Sequence, residues 1–367
     1  SLTAILFLIQ RGLAAGITIF APAIILSVVL GWNIITLNII IGFLVIIYTV
    51  SGGTKAVTVT QKQQMFVIFA GMLAALIIVI NLIPDEVSFS DAIDIAGATG
   101  KMQVLDFSFD LENRYTVWTG LIGGTFLMLS YFGTDQSQVQ RYLSGRSLRE
   151  MQMGLMFNGL LKVPMQFFIL LVGVMVFVFY QFNPAPLNFI DKSTETVLAS
   201  EYGEEYKALQ QKQAMLFSKK KALSLTLSKD ESELTRDKLS KIDSIEKTYR
   251  LKSKFLIKKA IDNDYANTYN KLKNELEVLR ANPVSDAFKT KKEELSTLYK
   301  ESAKDTQTND RDYMFIRFIL NHLPTGLIGL LLAVILSAAM SSTASEINAL
   351  ATITSIDLYQ RNQKEDK

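Results

Sequence analysis

The chain has 367 residues, 49% of them hydrophobic, with a formal net charge of +3, a single histidine and no cysteine. The lack of cysteine excludes disulfides, thiol catalysis and thiolate metal sites, and so small a charge excess gives no argument for nucleic acid. Charge is concentrated: residues 201–312 hold 24 of the 38 Lys+Arg and 20 of the 35 Asp+Glu, which leaves the remainder apolar enough for several membrane spans.

In chain order, residues 2–31 (LTAILFLIQRGLAAGITIFAPAIILSVVLG) exceed the roughly 20 residues that a span needs, and Pro22 inside them is expected to kink the helix. A turn at Gly31-Trp32-Asn33 places a tryptophan where interfacial belts hold one. Asn33 to Val50 reads as a second span, SGGTKAV at 51–57 as a short loop with Lys55 and Lys62 close by, and Phe66 to Ile83 as a third span closed by Pro84. Residues 84–114 carry Asp85, Glu86, Asp106, Asp110 and Glu112 and read as a solvent loop. Trp118 to Phe132 is a fourth span, SGRSLRE at 144–150 a basic loop, and Leu155 to Phe182 a fifth span interrupted by Lys162 and Pro164. Lys55, Lys62, Arg141, Arg146 and Arg149 lie on short loops that alternate with the acidic one. Basic loops stay on the cytoplasmic side, which puts loop 84–114 and the segment 183–312 outside.

The charged stretch has no glycine between Gly203 and Gly326, and Pro283 is its only proline between Pro186 and Pro324. Leu, Ile, Tyr and Phe recur every three or four residues among Lys and Glu, as in YKALQQKQAMLF and LKNELEVL. That pattern predicts amphipathic helices, two or more, turning near Asn282-Pro283. A solvated helical spacer and an arm that binds a protein partner both fit it. His322, at a helix edge, reads as an interfacial residue and not a ligand.

The last span, Pro324 to Tyr359, begins apolar and then turns polar at helical spacing. Ser341, Ser345, Asn348, Thr352 and Ser355 step by four, three, four and three and share one face, flanked by Ala338 and Ser342. Small residues at this spacing let membrane helices approach closely. The same oxygens suit a hard monovalent cation, which takes oxygen ligands. The chain opens directly in a span and ends in RNQKEDK just after one, so both ends are expected to be cut.

Four stretches carry a family resemblance. LSAAMSSTASEINALATITSIDLY resembles the signature helix of the sodium/solute symporter family, which includes sodium-coupled sugar, proline, iodide and monocarboxylate transporters. The resemblance implies that Ala338, Ser341 and Ser342 help bind the coupling sodium. LFLIQRGLAAGITIFAPAIILSVVLG looks like the third core helix of the monocarboxylate, vitamin and iodide branch, through Gln10 and Ala21-Pro22-Ala23; Arg11 departs from that pattern. A cavity-facing guanidinium there would suit a solute carboxylate; a side chain snorkelling to the cytoplasmic interface is the alternative. YFGTDQSQVQRYLSGRS at 131–147 matches an aromatic-Gly run ending in Gln-Arg, and implies that Tyr131 gates the inner side of the substrate cavity. Met128 stands where some sugar-transporting members carry asparagine, which weakens the case for a sugar. Lys162 either snorkels to the cytoplasmic interface or, by resemblance, reaches the substrate site, with Asp135 as its charge partner. SGGTKAVTVTQKQQ matches the family except that Gln61 replaces the aspartate on the sodium exit route.

The resemblance implies an all-α transmembrane fold, part of the inverted-repeat five-plus-five sodium symporter core. The first core helices and those after the signature helix are expected to be missing. The expected organisation is transmembrane helices over 1–182, an extracytoplasmic and mostly helical insertion over 183–312, the signature helix over 313–361 and a cytoplasmic tail over 362–367. The expected function is sodium-coupled import of a small organic solute, leaning to an anion, by a multi-pass protein of the cell membrane (inner or plasma). Its expected partners are the solute, the lipid bilayer and a protein bound by 201–312, with sodium co-transported and no organic cofactor or nucleic acid. The alternative is a transporter-derived receptor or scaffold acting through its insertion. No catalytic constellation is visible in the sequence, so an enzyme is not expected.

Overall fold

The computed structural model describes the chain except Ser1 and residues 104, 111–112, 114–115, 144, 146, 229–231, 281–284, 304, 306–307 and 361–367. For Tyr48, 52–62 and 140–142 it describes the backbone alone. Among the described residues every regular element is helical: α1 (Leu2–Leu30), α2 (Ile34–Asn81), α3 (Phe89–Ala98), α4 (Val117–Gly133), α5 (Gln136–Leu143), α6 (Leu148–Phe182), α7 (Asp191–Ala199), α8 (Gly203–Leu227), α9 (Glu233–Ile261), α10 (Asn263–Leu279), α11 (Asp286–Glu301), α12 (Arg311–His322) and α13 (Thr325–Ile353). Helix α13 runs on into a π-helical stretch, Thr354–Gln360. The fold is all-α, and five segments are long and apolar enough to cross a membrane: Leu2–Leu30, Ile34–Ser51, Gln63–Asn81, Leu148–Phe182 and Thr325–Gln360, with Val117–Gly133 as a shorter apolar helix.

Gly31 ends α1 with φ +69, a left-handed position that glycine takes without steric penalty. Its N–H donates to the Ser27 carbonyl at 3.0 Å, and the Ser27 hydroxyl donates to the Trp32 carbonyl at 3.0 Å, which tightens the turn into α2. Pro22 and Pro164 both lie inside continuous helices, so neither interrupts its segment.

Two expectations are corrected here. The loop expected over 51–57 is helix, because α2 runs unbroken from Ile34 to Asn81. No proline occurs between Pro22 and Pro84, and Gly52-Gly53 disfavours helix by only about 1 kcal/mol per residue. The solvent loop expected over 84–114 contains α3, whose start is fixed by a capping box: the Ser88 side chain accepts from the Asp91 N–H at 3.2 Å, and Asp91 accepts from the Ser88 N–H at 2.8 Å. The turn expected near Asn282-Pro283 lies outside the described residues, although α10 ends and α11 begins on either side of it.

The chain divides into two compact units: Ser1–Leu76, Val104–Val172 and Leu323–Lys367 form the first, and Ile77–Gln103 with Gly173–His322 form the second. In the first, Ala23, Leu37, Ile41 and Val45 are 0–2% exposed, and Leu336, Met340 and Ile347 of α13 pack against them. In the second, Leu187, Val197, Tyr206 and Phe255 to Ile257 form a core ringed by Tyr249, Tyr265, Tyr269 and Tyr299. Burial pushes the Tyr265 hydroxyl up to about 12. Ion pairs surround that core: Lys254 with Asp310 at 2.7 Å and Lys220 with Glu246 at 2.6 Å.

Candidate functional site

The polar groups of the first unit gather where α13 meets α1, α2 and α5. Helix α4 stops at Gly133, and Asp135 starts α5: its Oδ1 accepts from the Ser137 N–H at 3.0 Å and from the Ser137 hydroxyl at 2.8 Å. Its other oxygen meets the Arg11 guanidinium on α1. Arg11 also faces Glu346 of α13 at 3.6 Å, and Thr18, further along α1, donates to Glu346 at 3.3 Å. The side chains of Arg11, Asp135 and Glu346 are 17%, 8% and 13% exposed.

Asp135 was expected to partner Lys162; its partner is Arg11. The reason is desolvation, since a guanidinium this deeply buried requires a counter-charge. The same geometry engages Arg11 with two of the chain's own carboxylates. Lys162 is exposed, with its Nζ 5.8 Å from the centre of the Tyr131 ring, so these two site residues are brought together. Gln10 is exposed, and the side chain of Gln61 lies outside the described residues.

Of the residues matched to the sodium site, Ser341 is 1% exposed, Ala338 is half-buried and Ser342 is exposed. Other hydroxyls on α13 bond back to their own helix: Thr343 to the Ala339 carbonyl at 2.9 Å, Ser345 to the Ser341 carbonyl at 3.3 Å and Thr352 to the Asn348 carbonyl at 2.8 Å. Ser337, one turn before Ser341 on the same face, accepts from the Gln64 amide at 2.5 Å. The Ser341 Oγ is buried without a hydrogen-bond partner. An orphaned hydroxyl in a protein interior is unfavourable unless something coordinates it. An oxygen of this kind suits an alkali cation.

Sequence reasoning missed Gln64, Ser337, Thr18 and Glu346. The signal for Glu346 was present, because it is the only acid in α13 and a carboxylate inside an apolar span needs a partner. Arg11 and Thr18 lie seven residues apart, on one helical face, which is the pairing that Glu346 uses.

The model of the sodium:solute symporter family matches residues 1–199 and 297–367. The unmatched stretch 200–296 holds α8, α9, α10 and the greater part of α11. Among curated proteins, the sodium-coupled monocarboxylate transporter 2 of Mus musculus is 34% identical over 154 residues, covering 42% of this chain and 24% of the relative. The human sodium/iodide cotransporter is 33% identical over 178 residues, 47% of this chain and 27% of the relative. The sodium-dependent multivitamin transporter of Oryctolagus cuniculus is 32% identical over 182 residues, 48% and 28%. The chain thus spans about a quarter of the length of these relatives. No solved structure gives a significant match. With well over half of its residues under one family model, the chain belongs to the sodium:solute symporter family.

Proposed function

We propose that the protein of which this chain is the sequence works as a sodium-coupled symporter, importing a small organic solute across the cell membrane. The carrying observation is the Ser341 Oγ, buried and unpartnered on the helix that matches the family signature. Sodium is cargo: Ser341, Ser342 and the Ala338 carbonyl supply oxygens to it, and oxygens on other helices complete the shell. Solute and sodium favour the same occluded state, so their binding is linked and reciprocal. Tyr131 and Lys162 border the solute path, Gln10 lies on the helix that lines it, and Gln61 lies on the sodium exit route without the charge usual there.

An anionic solute is the finer reading. Its support is the branch resemblance and the relatives whose names include monocarboxylate and iodide; Arg11, which meets Asp135, does not carry it. The basic residues Lys55, Lys62 and Arg149, close in sequence to the ends of apolar stretches, support a cytoplasmic position for those stretch ends and an extracytoplasmic one for the charged helices. The unmatched stretch 200–296 supports a second reading, a receptor or scaffold that acts through those helices, with a protein partner on them.

The test is solute uptake by the full-length protein in proteoliposomes under a sodium gradient. Symport predicts uptake that collapses without sodium, and Ser341→Ala with Ser342→Ala, which removes two oxygens, raises the sodium needed for half-maximal uptake at least about tenfold, equivalent to ~1.4 kcal/mol. An unchanged sodium requirement removes both serines from the site. Uptake no greater than that of empty vesicles, over a solute screen, favours the receptor.

A further inference from the structure

The Asp135–Arg11–Glu346 cluster joins three separate elements: α1 supplies Arg11, the α4–α5 junction supplies Asp135 and α13 supplies Glu346. None of these links can be replaced by water at low expense, since the three side chains are 17%, 8% and 13% exposed. Two carboxylates share one guanidinium. Thr18 adds a hydrogen bond from α1 to Glu346 at 3.3 Å, and Ser137 fixes the other end by donating to Asp135 at 2.8 Å. Asp135 is thus held by Ser137 on the oxygen away from Arg11, and Glu346 lies within reach of the Thr18 hydroxyl, which also donates to the Ala14 carbonyl at 3.0 Å.

Glu346 follows Ser341 by five residues, less than one and a half turns of α13. A helix is stiff over that length. Whatever fixes Glu346 against α1 and the α4–α5 junction also fixes the rotation and height of Ser341. Gln64 acts on the other side: its amide donates to Ser337, one turn before Ser341, at 2.5 Å. The orphaned Oγ thus sits between two polar clamps on one helix. Helical packing alone leaves some freedom to slide, whereas a charge cluster with two fixed ends does not.

We propose that Arg11, Asp135 and Glu346 are positioning residues that hold α13 in the register at which Ser341 meets the coupling ion. Breaking the cluster leaves the oxygen in the chain but lets it drift, and the consequence is weaker sodium binding with a smaller change in maximal solute flux. The proposal rests on the symporter reading, and its test separates the two.

The experiment uses the full-length protein with sodium chloride as the probe. Sodium dependence is read twice, as solute uptake in proteoliposomes and as the sodium-induced rise in thermal unfolding temperature of the purified protein. Arg11→Gln and Glu346→Gln are each expected to raise the half-saturating sodium at least fivefold, the lower end of ordinary coupling factors, with maximal uptake changed by less than half that factor. Arg11→Lys retains the charge but not the fork, and should fall between the wild type and Arg11→Gln. Half-saturating sodium equal to wild type in Arg11→Gln and Glu346→Gln would overturn the proposal, as would an Arg11→Lys variant no better than Arg11→Gln. A wild-type protein with sodium-induced stabilisation but no uptake sinks the symporter reading while the positioning role is still judged by the thermal readout.

Discussion

The two compact units bury apolar side chains by opposite rules. In the second unit Phe255, Leu256 and Ile257 are 6%, 1% and 0% exposed, and the Phe255 ring stands 4.7 Å from that of Tyr269 and 4.8 Å from that of Tyr299. In the first unit Phe126, Leu13 and Phe43 are 71%, 69% and 63% exposed, on helices that are apolar nearly throughout. A chain folding in water cannot leave that much apolar surface uncovered; lipid, or other membrane helices, are the surroundings that suit it. The polar groups follow the inverse rule. The second unit spreads many ion pairs over its surface and rim, whereas in the first Arg11, Asp135 and Glu346 form a buried cluster. Abundance of hydrophobic residues therefore does not measure a protein core, and scarcity of charge raises the importance of each charge that is present.

The comparison breaks most sharply at two phenylalanines. Phe255→Ala opens a cavity in a water-folded core and is expected to destabilise the second unit by about 3–5 kcal/mol. Phe126→Ala removes a side chain with little protein contact, and its expected effect is under about 0.5 kcal/mol. Thermal unfolding of the purified protein, read by proteolysis of each unit separately, measures both. Equal losses at the two sites would mean that the first unit packs Phe126 against protein.

Electrostatics gives the second, smaller contrast. At Glu246 burial alone would raise the carboxyl pKa, but Lys220 and Arg250 reverse this and hold it below its ordinary 4.5. The sign follows from that direction. A depressed carboxylate contributes stability in full above its unfolded value, and the contribution disappears as the pH falls through the folded value, so the second unit should weaken below pH 4.5. Lys220→Met removes one partner from a pair whose side chains are 5% and 12% exposed, and should destabilise the unit at neutral pH by about 3 kcal/mol. It should also move the onset of acid unfolding to higher pH, because Glu246 then titrates closer to its ordinary range. A pH series of the helical circular dichroism signal for both proteins decides this.

Much of the first unit could be read from the sequence, because run length and apolarity are local properties. The spans over 2–31 and 118–132 emerge within a residue or two of α1 and α4. The hydroxyl face of α13 was equally legible, since a period of 3.6 needs no knowledge of neighbours. What failed was contextual. Gly52-Gly53 looks like a break, yet helix hydrogen bonding on both sides carries α2 through it. Asp262 ends α9 and caps α10, accepting from the Tyr265 N–H at 2.9 Å, and nothing in a run of Lys, Ile and Asp distinguishes that cap from an exposed helical acid. Arg11 and Glu346 lie at opposite ends of the chain, so their pairing is a tertiary fact. Only the rule that a buried charge seeks a partner hinted at it, without naming the partner.

The smallest expected effect tests how tightly the first unit is assembled where no charge helps. At Gly71 of α2 an added Cβ would lie 2.2 Å from Cδ2 and 3.2 Å from Cγ of Leu331 on α13. Glycine is thus present for close approach and not for backbone freedom, the small-residue logic of membrane helix pairs. Gly71→Ala meets the end of a flexible side chain and not backbone, so Leu331 can turn aside and the loss should stay near the low end of overpacking, about 1 kcal/mol. Leu331→Val shortens the offending side chain and by itself leaves a small void. If the contact is the whole effect, the double variant is more stable than the sum of the two single losses allows, with a coupling of about 0.5–1 kcal/mol. Strict additivity in thermal unfolding would place α2 and α13 further apart at this level than Gly71 requires, leaving the Gln64–Ser337 hydrogen bond as the polar contact between them there.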